Sequence, residues 1–259
     1  MHKRHLDRAM YFKELAITCE KYYIPYISHY KAISPDLRIL EVGCGDGGNL
    51  LPFAKLGCKV TGVDLAACRI NDAASFFKKN KVQGDFITAD IFKINSFDNL
   101  FDIIICHDVI EHIADKMQFI LHLKSFLSDT GIMFIAFPAW QMPFGGHQQI
   151  VKNKFLSHLP FVHLLSSTLY KAILRLFKED KNTIAELLNI KQTRLSIEKF
   201  LKIIKQTNCC IVNQQFYFIN PHYEIKFSLK PKKLSPLLSK TPYIRNFFTT
   251  SCFYIVKKP

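Results

Sequence analysis

The feature that most constrains the fold is a short apolar run that leads into a glycine-rich turn, Ile39-Leu40-Glu41-Val42-Gly43-Cys44-Gly45-Asp46-Gly47-Gly48. The apolar run predicts a buried strand, and the pattern after the turn predicts a helix. Glycines at positions 43, 45 and 47 permit positive φ angles and let a ligand approach the backbone closely. The first turn of the helix offers unpaired N–H groups to an anion. The turn therefore predicts a ligand site at the end of the first strand.

Strand-like and helical runs alternate as far as Phe137. The strand candidates are Arg38–Val42, Lys59–Asp64, Phe86–Ala89, Phe101–Cys106 and Gly131–Phe137. The fourth candidate contains Ile103-Ile104-Ile105-Cys106, an uninterrupted apolar run that is typical of a strand covered on both faces of a parallel sheet. Helical patterns lie between the strands at Gly47–Leu56, Ala66–Asn80 and Ala114–Leu127. This alternation predicts βαβ units and a doubly wound α/β sheet.

The alternation stops after Phe137 and resumes with a helix near Ser196–Thr207. Two further strands, near Cys210–Ile219 and Ser251–Val256, bring the expected sheet to seven. Ligands of open α/β sheets bind beyond the carboxyl ends of the strands, so an insertion after the fifth strand should overhang the ligand site. We expect an N-terminal helical cap segment at 1–35 with a break near Pro25, a ligand-binding core at 36–137, a substrate-cap insertion at 138–195 and a completing helix and strands at 196–259.

The spacing of the glycines distinguishes two kinds of nucleotide-binding fold. A dinucleotide-binding fold reads G-x-G-x-x-G, whereas this chain reads G-x-G-x-G behind Glu41. An acid, Asp64, also ends the second strand, 19 residues after Gly45. In these motifs the sequence resembles the class I S-adenosylmethionine-dependent methyltransferases, which read E/D-x-G-x-G-x-G. The resemblance covers residues 36–137. It implies a Rossmann-like, mostly parallel seven-stranded sheet with an α-helical cap insertion after the fifth strand, S-adenosyl-L-methionine as cofactor and S-adenosyl-L-homocysteine as product.

The same resemblance implies which residues hold the cofactor. The glycine loop would hold its methionine moiety, and Asp64 would accept hydrogen bonds from the ribose hydroxyls. Asp90 would accept the adenine amino group, Ile91 would donate its backbone N–H to the ring and Leu65 would cover it. The end of the fourth strand would lie beside the methionine part. The implied cofactor-binding set is Glu41, Gly43, Cys44, Gly45, Gly47, Asp64, Leu65, Asp90, Ile91, Cys106 and His107.

A cluster of acids and histidines follows the fourth strand. The run His107-Asp108-Val109-Ile110-Glu111-His112 resembles the corresponding segment of small-molecule methyltransferases of the ubiquinone-biosynthesis type, which often reads E-x-x-E-H. On one helical turn Asp108, Glu111 and His112 would share a face, and some members of this wider group use such a cluster for a divalent metal. Asp replaces the first Glu and no distant ligand is evident. We therefore expect no metal and a hydrogen-bonded helix start, and keep these three residues as the metal candidates.

The loop after the fifth strand is the expected wall of the acceptor site. Residues 138–149 present the single tryptophan, Trp140, with Phe144 and His147, between prolines and glycines. Methyl transfer is an in-line displacement at a sulfonium, so alignment and water exclusion supply most of the rate. An oxygen acceptor must also lose a proton, for which histidine is suited. We predict His147 as the catalytic base, with a loop-stabilising hydrogen bond as its alternative role, and Trp140, Phe144 and His112 as substrate-binding residues.

Charge is distributed unevenly along the chain. Residues 1–140 hold 16 Lys/Arg and 16 Asp/Glu, whereas residues 141–259 hold 19 and 5, so the second part carries the whole net charge of +14. This asymmetry favours an anionic partner, or simply a solvated basic surface. Phe161–Lys178 predicts an amphipathic helix that forms a lid or contacts anionic lipid. Its polar row holds His163, Ser167, Lys171, Arg175 and Lys178, of which the last three form a basic row.

These patterns together predict an S-adenosylmethionine-dependent methyltransferase that O-methylates a small-molecule or lipid-like acceptor. One alternative is a tRNA or rRNA methyltransferase. The basic second part permits this alternative, but methylation of an exocyclic base nitrogen is disfavoured because His107-Asp108-Val109-Ile110 stands where an Asn-Pro-Pro-Tyr-like tetrapeptide would follow the fourth strand. Another alternative is a non-catalytic, cofactor-binding regulatory protein. The chain shows no signal-like apolar region, no membrane-length apolar run and no C-x-x-C spacing, so we expect a cytoplasmic protein with peripheral contact at an anionic membrane.

Overall fold

A computed structural model describes residues 7–259, so the first six residues of the predicted 1–35 cap segment lie outside the described part. Within it, eight strands form one sheet in the order β3-β2-β1-β4-β5-β8-β6-β7. The strands are β1 (Arg38–Val42), β2 (Lys59–Asp64), β3 (Asp85–Thr88), β4 (Phe101–His107), β5 (Leu127–Phe137), β6 (Cys210–Ile219), β7 (Lys232–Lys233) and β8 (Ser251–Lys257). Strands β1 to β5 are parallel, and β8 is antiparallel to both β5 and β6. The predicted doubly wound α/β fold is confirmed.

The predicted number of seven strands is wrong by one short edge strand. β7 pairs antiparallel with β6, with Lys233 opposite Tyr217. Its two lysines are exposed and carry no apolar alternation, so the sequence pattern did not indicate a strand there. Lysines are common on edge strands because they discourage pairing with another chain.

Helices cover both faces of the sheet. They are α1 (Arg8–Thr18), α2 (Ile24–Ser28), α3 (Leu50–Lys55), α4 (Ala67–Lys79), α5 (Lys116–Phe126), α6 (Lys154–His158), α7 (Ser167–Leu176), α8 (Lys181–Thr193), α9 (Ile197–Gln206), α10 (His222–Phe227) and α11 (Pro236–Ser239). The break predicted near Pro25 takes the form of a π-helical turn, Cys19–Tyr23, that joins α1 to α2. Pro25 lies in the first turn of α2, directly after this π-helical turn, and it has no N–H to donate to the preceding turn.

The apolar core lies on both faces of β4. Ile103 and Ile105 belong to one buried cluster, Ile104 and Cys106 to the other, and all four side chains are fully buried. An uninterrupted apolar strand is therefore explained by its central place in the sheet, between β1 and β5. Packing on both faces of β4 holds the parallel strands in place, and the site described below lies at their carboxyl ends.

The insertion between β5 and α9 contains α6, α7 and α8 and has a small apolar core of its own, centred on Tyr170 and Leu174. Two buried lysines stabilise the insertion: one joins it to the sheet domain, and the other joins two of its own segments. Lys116 Nζ donates to the carbonyl oxygens of Ile113 and Thr193, and so joins the segment after β4 to the end of α8. Lys191 Nζ donates to the carbonyls of His163 and Leu165 at 2.7 and 2.6 Å.

The helix predicted at Phe161–Lys178 is shorter than expected. A 3₁₀ turn occupies Val162–Leu164, and α7 begins after Ser166, whose side chain caps it. His163, which we predicted on the polar row, is buried beneath the insertion. The basic row of Lys171, Arg175 and Lys178 is exposed. No helix in the part of the chain that is described is long and apolar enough to cross a membrane.

Candidate active site

The glycine loop follows β1 at the carboxyl edge of the sheet. The amides of Gly43 and Cys44 both donate to the carbonyl of Val63, which fixes the loop against β2. Gly43 has φ +69°, and a Cβ there would lie 2.3 Å from Val109 Cγ2. The loop therefore needs glycine for both its conformation and its close packing.

Asp64 ties the loop to the end of β2. Its Oδ2 accepts from Gly45 N and its Oδ1 from Ala66 N, each at 2.9 Å. The side chain is half-buried, and an ionised carboxylate can accept about four hydrogen bonds, so acceptor capacity remains for a ligand. The neighbouring Leu65 is 74% exposed, an unusual exposure for a leucine at a strand end.

The third acid of the predicted set lies at the end of β3. Asp90 is half-buried and caps a 3₁₀ turn through Phe92 N at 3.0 Å. Ile91 beside it is buried. Because β3, β2 and β1 are neighbours in the sheet, Asp90, Asp64 and the glycine loop lie along one edge. The structure thus brings together the residues that the sequence assigned to one ligand.

A buried acid supports the loop from below. Glu41 Oε1 accepts from Asn49 Nδ2 at 2.7 Å, while its Oε2 has no partner among the described residues. Burial raises the pKa of Glu41 to about 8; the Asn49 hydrogen bond opposes this shift, and the charge of Asp64 adds to it. Asp46 Oδ1 likewise is buried without a partner in the described chain, and burial raises its pKa.

The N-terminal helix and α4 close over the loop. A Cβ on Gly48 would meet the carbonyl oxygen of Phe12 at 2.7 Å, so α1 packs directly on the loop. The guanidinium of Arg69 lies over Gly45, 2.9 Å from where a Cβ would stand. Sequence reasoning missed Arg69, since a single arginine inside an amphipathic helix carries no pattern of its own.

The end of β4 turns sharply at Asp108. Asp108 has φ +54°, and its amide donates to the carbonyl of Ala136 at 2.9 Å. The expectation that Asp108, Glu111 and His112 share one helical turn is therefore wrong. Only the short 3₁₀ turn Ile110–His112 is helical, because the backbone at Asp108 is left-handed. The thiol of Cys106 is buried in the core.

Tyrosines from distant parts of the chain surround Asp108. Tyr23 Oη and His107 Nε2 form a hydrogen bond of 2.8 Å, and His107 Nε2 lies 3.8 Å from Asp108 Oδ2. Burial raises the pKa of Tyr11, Tyr23 and Tyr223, and the negative charge of Asp108 adds to each shift. Sequence reasoning missed these tyrosines because no local spacing links them to the strand end.

Three side chains converge beside this turn. One ligand-type atom from each of Glu111, His112 and His147 lies within 4.8 Å of the other two. Glu111 is buried with both carboxylate oxygens unpartnered among the described residues, and burial raises its pKa well above the ordinary value, with Asp108 adding to the shift. Burial lowers the pKa of His112, and lowers that of His147 to about 4, so both rings are neutral near pH 7. A carboxylate with two neutral imidazoles is a ligand set for a divalent transition metal. Asp108 does not belong to this set.

The aromatic residues of the loop after β5 differ in how deeply they are buried. Trp140 is buried, and its ring packs edge-on against His163 at 4.7 Å between centroids. His163 also shares a hydrogen bond of 2.8 Å with the Trp140 carbonyl oxygen, so this pair joins the loop to the insertion. Phe144 is 37% exposed. His147 has φ +56°, and its ring meets that of His112 at 4.8 Å.

A cavity of about 400 Å³ opens beside His112. Its other wall is one face of α8. The lining residues are His112, Asn182, Ala185, Glu186, Asn189, Ile190 and Thr193. The insertion therefore borders the converging group, as expected for a cap over the carboxyl edge of a sheet.

Comparison with known proteins agrees with this geometry. A family model described as "Methyltransferase domain" matches residues 33–208. The chain is 36% identical over 109 residues to the ubiquinone biosynthesis O-methyltransferase of Rickettsia akari (strain Hartford), a match that covers 42% of this chain and 43% of that protein. For the Rickettsia felis protein of the same name the identity is 38% over 109 residues, covering 42% and 44%. The match thus spans less than half the length of these curated relatives.

Solved structures show a similar fold at low identity. The magnesium protoporphyrin IX methyltransferase of Synechocystis PCC 6803, with bound SAH, has a TM-score of 0.56 at 16% identity over 93% of this chain and 81% of that chain. A putative sarcosine dimethylglycine methyltransferase of Galdieria sulphuraria has a TM-score of 0.60 at 14% identity, covering 92% and 84%. At such identities the likeness concerns the fold alone.

Proposed function

Since this chain belongs to the methyltransferase domain family and is an S-adenosylmethionine-dependent methyltransferase, we propose that it methylates a hydroxyl oxygen of a small or lipid-like acceptor. The observation that carries the proposal is the convergence of Glu111, His112 and His147 at the turn after β4, whose Val109 packs on Gly43 of the glycine loop. A hydroxyl acceptor must lose its proton as the oxygen–carbon bond forms, and this group contains two neutral imidazole rings that can accept a proton. The Rickettsia relatives, named as O-methyltransferases, support the same reaction.

The residues around the glycine loop fit S-adenosylmethionine in their chemistry. The unpartnered oxygens of Glu41 and Asp46 suit an ammonium group, and the Arg69 guanidinium suits a carboxylate. Asp64 retains acceptor capacity for the ribose hydroxyls, and Leu65 offers an apolar surface for adenine. When bound, the cofactor supplies a methyl group activated by a sulfonium. We assign its binding to Glu41, Gly43, Cys44, Gly45, Gly47, Asp64, Leu65, Asp90, Ile91, Cys106 and His107.

The acceptor would lie between the converging group and the insertion. Phe144 is the exposed aromatic side chain of the loop, and Trp140 supports the loop from within. The ring of His147 is neutral at pH 7 and can take a hydrogen bond from the acceptor hydroxyl. A base whose pKa is about 4 takes a proton only weakly at neutral pH, so the free ring of His147 alone would give slow proton transfer.

A divalent cation held by Glu111, His112 and His147 would acidify the acceptor hydroxyl directly, and His147 would then act as a ligand and not as the base. Two carboxylate oxygens buried without partners are costly unless a proton or a cation compensates them. A bound cation would supply Lewis acidity toward the acceptor hydroxyl. His147, which reaches the group from the loop after β5, is the distant ligand that the local sequence could not indicate.

The basic row of α7 would bring the enzyme to an anionic membrane. Lys171 and Arg175 are exposed beside two apolar side chains, Leu169 at 49% and Leu176 at 77% exposure. Basic and apolar side chains together bind anionic interfaces reversibly. Co-sedimentation with phosphatidylglycerol vesicles should therefore fall with added salt and in the triple variant Lys171→Glu/Arg175→Glu/Lys178→Glu. Binding of tRNA with a steep salt slope, without vesicle binding, would instead favour a nucleic-acid acceptor.

Chemically matched acceptors test the reaction. Catechol, aniline and thiophenol present a hydroxyl, an amine and a thiol on similar rings. We expect methyl transfer from S-adenosylmethionine to catechol, detected by mass spectrometry as a singly O-methylated product. Methylation of aniline alone would contradict O-methylation while leaving cofactor use intact.

A further inference from the structure

The segment from Pro236 to Thr249 has its polarity inverted. In a folded protein apolar side chains normally turn inward and polar ones outward. Here the buried side chains are polar: Arg245, Asn246 and Thr249 are 7%, 0% and 0% exposed. The exposed ones are large and apolar: Leu237 (81%), Tyr243 (71%), Ile244 (51%), Phe247 (40%) and Phe248 (40%).

A buried polar network holds the segment in this orientation. The carboxylate of Glu198, on α9, accepts from Tyr243 N at 2.9 Å, Arg245 Nε at 3.0 Å and Asn246 Nδ2 at 2.6 Å. Asn246 Oδ1 in turn accepts from Ile197 N at 2.8 Å. The exposure of the apolar side chains is therefore built into the fold and does not result from a loose loop.

The exposed apolar surface continues into the insertion. The ring of Phe161, itself 39% exposed, lies 6.3 Å from that of Phe247. Single exposed apolar residues are ordinary, but several large ones fixed side by side indicate a surface that is covered in use. Such a surface is expected to bind an apolar partner.

The charge around the segment indicates what that partner is. Residues 225–250 contain six Lys and Arg and no Asp or Glu, and of these Arg245 is paired with Glu198. Lys232 and Lys233 are exposed on β7, at the end of the sheet where β8 begins. Lys240 is exposed within the segment, between Leu237 and Tyr243. A cationic surround with a protruding aromatic and aliphatic centre matches the headgroup region of an anionic bilayer, where tyrosine favours the boundary between water and hydrocarbon.

We propose that the 236–249 segment inserts its apolar side chains into the interface of an anionic lipid bilayer. This contact is separate from that of α7, because it depends on buried apolar area and is less sensitive to salt. It does not rest on the proposed acceptor, since a membrane-bound enzyme can act on any substrate that reaches its site. The segment gives the attachment an apolar component that basic residues alone do not supply.

Vesicle binding by the full chain tests the proposal. The test variant is Tyr243→Ser/Ile244→Ser/Phe247→Ser, which keeps the Glu198 network, and the matched control is Ile17→Ser/Leu56→Ser/Leu100→Ser, three side chains exposed to a similar degree elsewhere. On phosphatidylcholine vesicles containing phosphatidylglycerol, we expect the test variant to bind about tenfold or more weakly than the control, with the gap persisting at high salt.

Three outcomes would overturn the proposal. The test variant could bind vesicles as well as the control does. The wild type could form a dimer by light scattering that the test variant lacks, which would identify a second copy as the occupant. The difference between the variants could vanish in high salt, which would assign it to electrostatics. Methyl transfer to catechol, measured in parallel without vesicles, should be equal in the two variants, so failure of the proposed reaction is seen separately.

Discussion

The amide of Gly45 donates to the Oδ2 of Asp64 across 2.9 Å, which joins the glycine loop after β1 to the end of β2. The same carboxylate also fixes the start of the next connection through Ala66 N. One side chain therefore shapes the glycine loop and is also the proposed acceptor for the ribose hydroxyls. Its removal should affect binding more than folding, because its backbone partners lie at the edge of the sheet.

Asp64→Ala should weaken S-adenosylmethionine binding by about 1.5–3 kcal/mol, the scale of hydrogen bonds to a charged group, or roughly 10- to 150-fold in Kd. Isothermal titration calorimetry measures this directly. Asp85→Ala, which removes an exposed acid at the opposite end of β3, should bind like the wild type. Equal affinities for Asp64→Ala and the wild type, or binding of NAD in place of S-adenosylmethionine, would contradict the assignment.

Glu41 should make stability depend on pH. Its pKa is about 8 in the folded protein against an ordinary value of 4.5, because burial disfavours the charged form. As pH rises, Glu41 loses its proton near pH 4.5 in the unfolded chain but only near pH 8 in the folded protein. Glu41 therefore stabilises the folded protein fully below pH 4.5, and this stabilisation is lost between pH 4.5 and about 8. Denaturant unfolding of cofactor-free protein should show a decline of up to about 1.4 kcal/mol per pH unit in that window.

Glu41→Gln should remove that part of the decline, since a neutral amide keeps a carbonyl acceptor for Asn49 without a charge to desolvate. Glu20→Gln, which alters an exposed acid, should keep the pH dependence of the wild type. If Glu41→Gln follows the wild-type curve from pH 5 to 8, Glu41 is not the group responsible.

The parallel core and the glycine loop could be predicted because their signals are local. The apolar run Ile103–Cys106 and the glycine spacing each lie within a few residues. The methyltransferase family, implied by those motifs, is confirmed by the family match over residues 33–208, and the solved structures show the expected fold. By contrast, β7 is two lysines that become a strand only because β6 offers an edge.

The acceptor side could not be predicted in the same way, because it is assembled by tertiary contacts. Tyr23 meets His107 across 84 residues, and His147 meets His112 through the insertion. The left-handed turn at Asp108 overrode the helical spacing that the sequence suggested. The sequence from His107 to His112 shows which acidic and histidine side chains could contribute to a site. The backbone turn at Asp108 determines which of them lie close together.

His147→Ala should lower kcat by about 10²–10⁴ with little change in cofactor affinity, because its ring serves the acceptor side. Steady-state kinetics with catechol and calorimetry with S-adenosylmethionine separate the two effects. His158→Ala, an exposed histidine on α6, is the control. A loss of kcat below about threefold would return His147 to a purely structural role in its loop.

Glu111→Gln should weaken binding of a divalent cation. Cobalt(II), followed by its visible absorption, is expected to bind the wild type with one ion per chain and the variant about 10- to 100-fold more weakly. Glu186→Gln removes another carboxylate from the wall of the cavity beside His112 and should bind cobalt like the wild type. Indistinguishable cobalt titrations of wild type and Glu111→Gln would exclude this cation site.

The measurement that most directly tests O-methylation of a small or lipid-like acceptor uses S-adenosylmethionine labelled in its methyl group. Purified protein is incubated separately with a lipid extract, a water-soluble metabolite extract and tRNA, and the labelled product is isolated and analysed. We predict label in a small or lipid-like molecule as a methyl ether that survives mild alkali, with transfer reduced by His147→Ala. Label found in tRNA, or on nitrogen or carbon of the isolated product, would contradict the account.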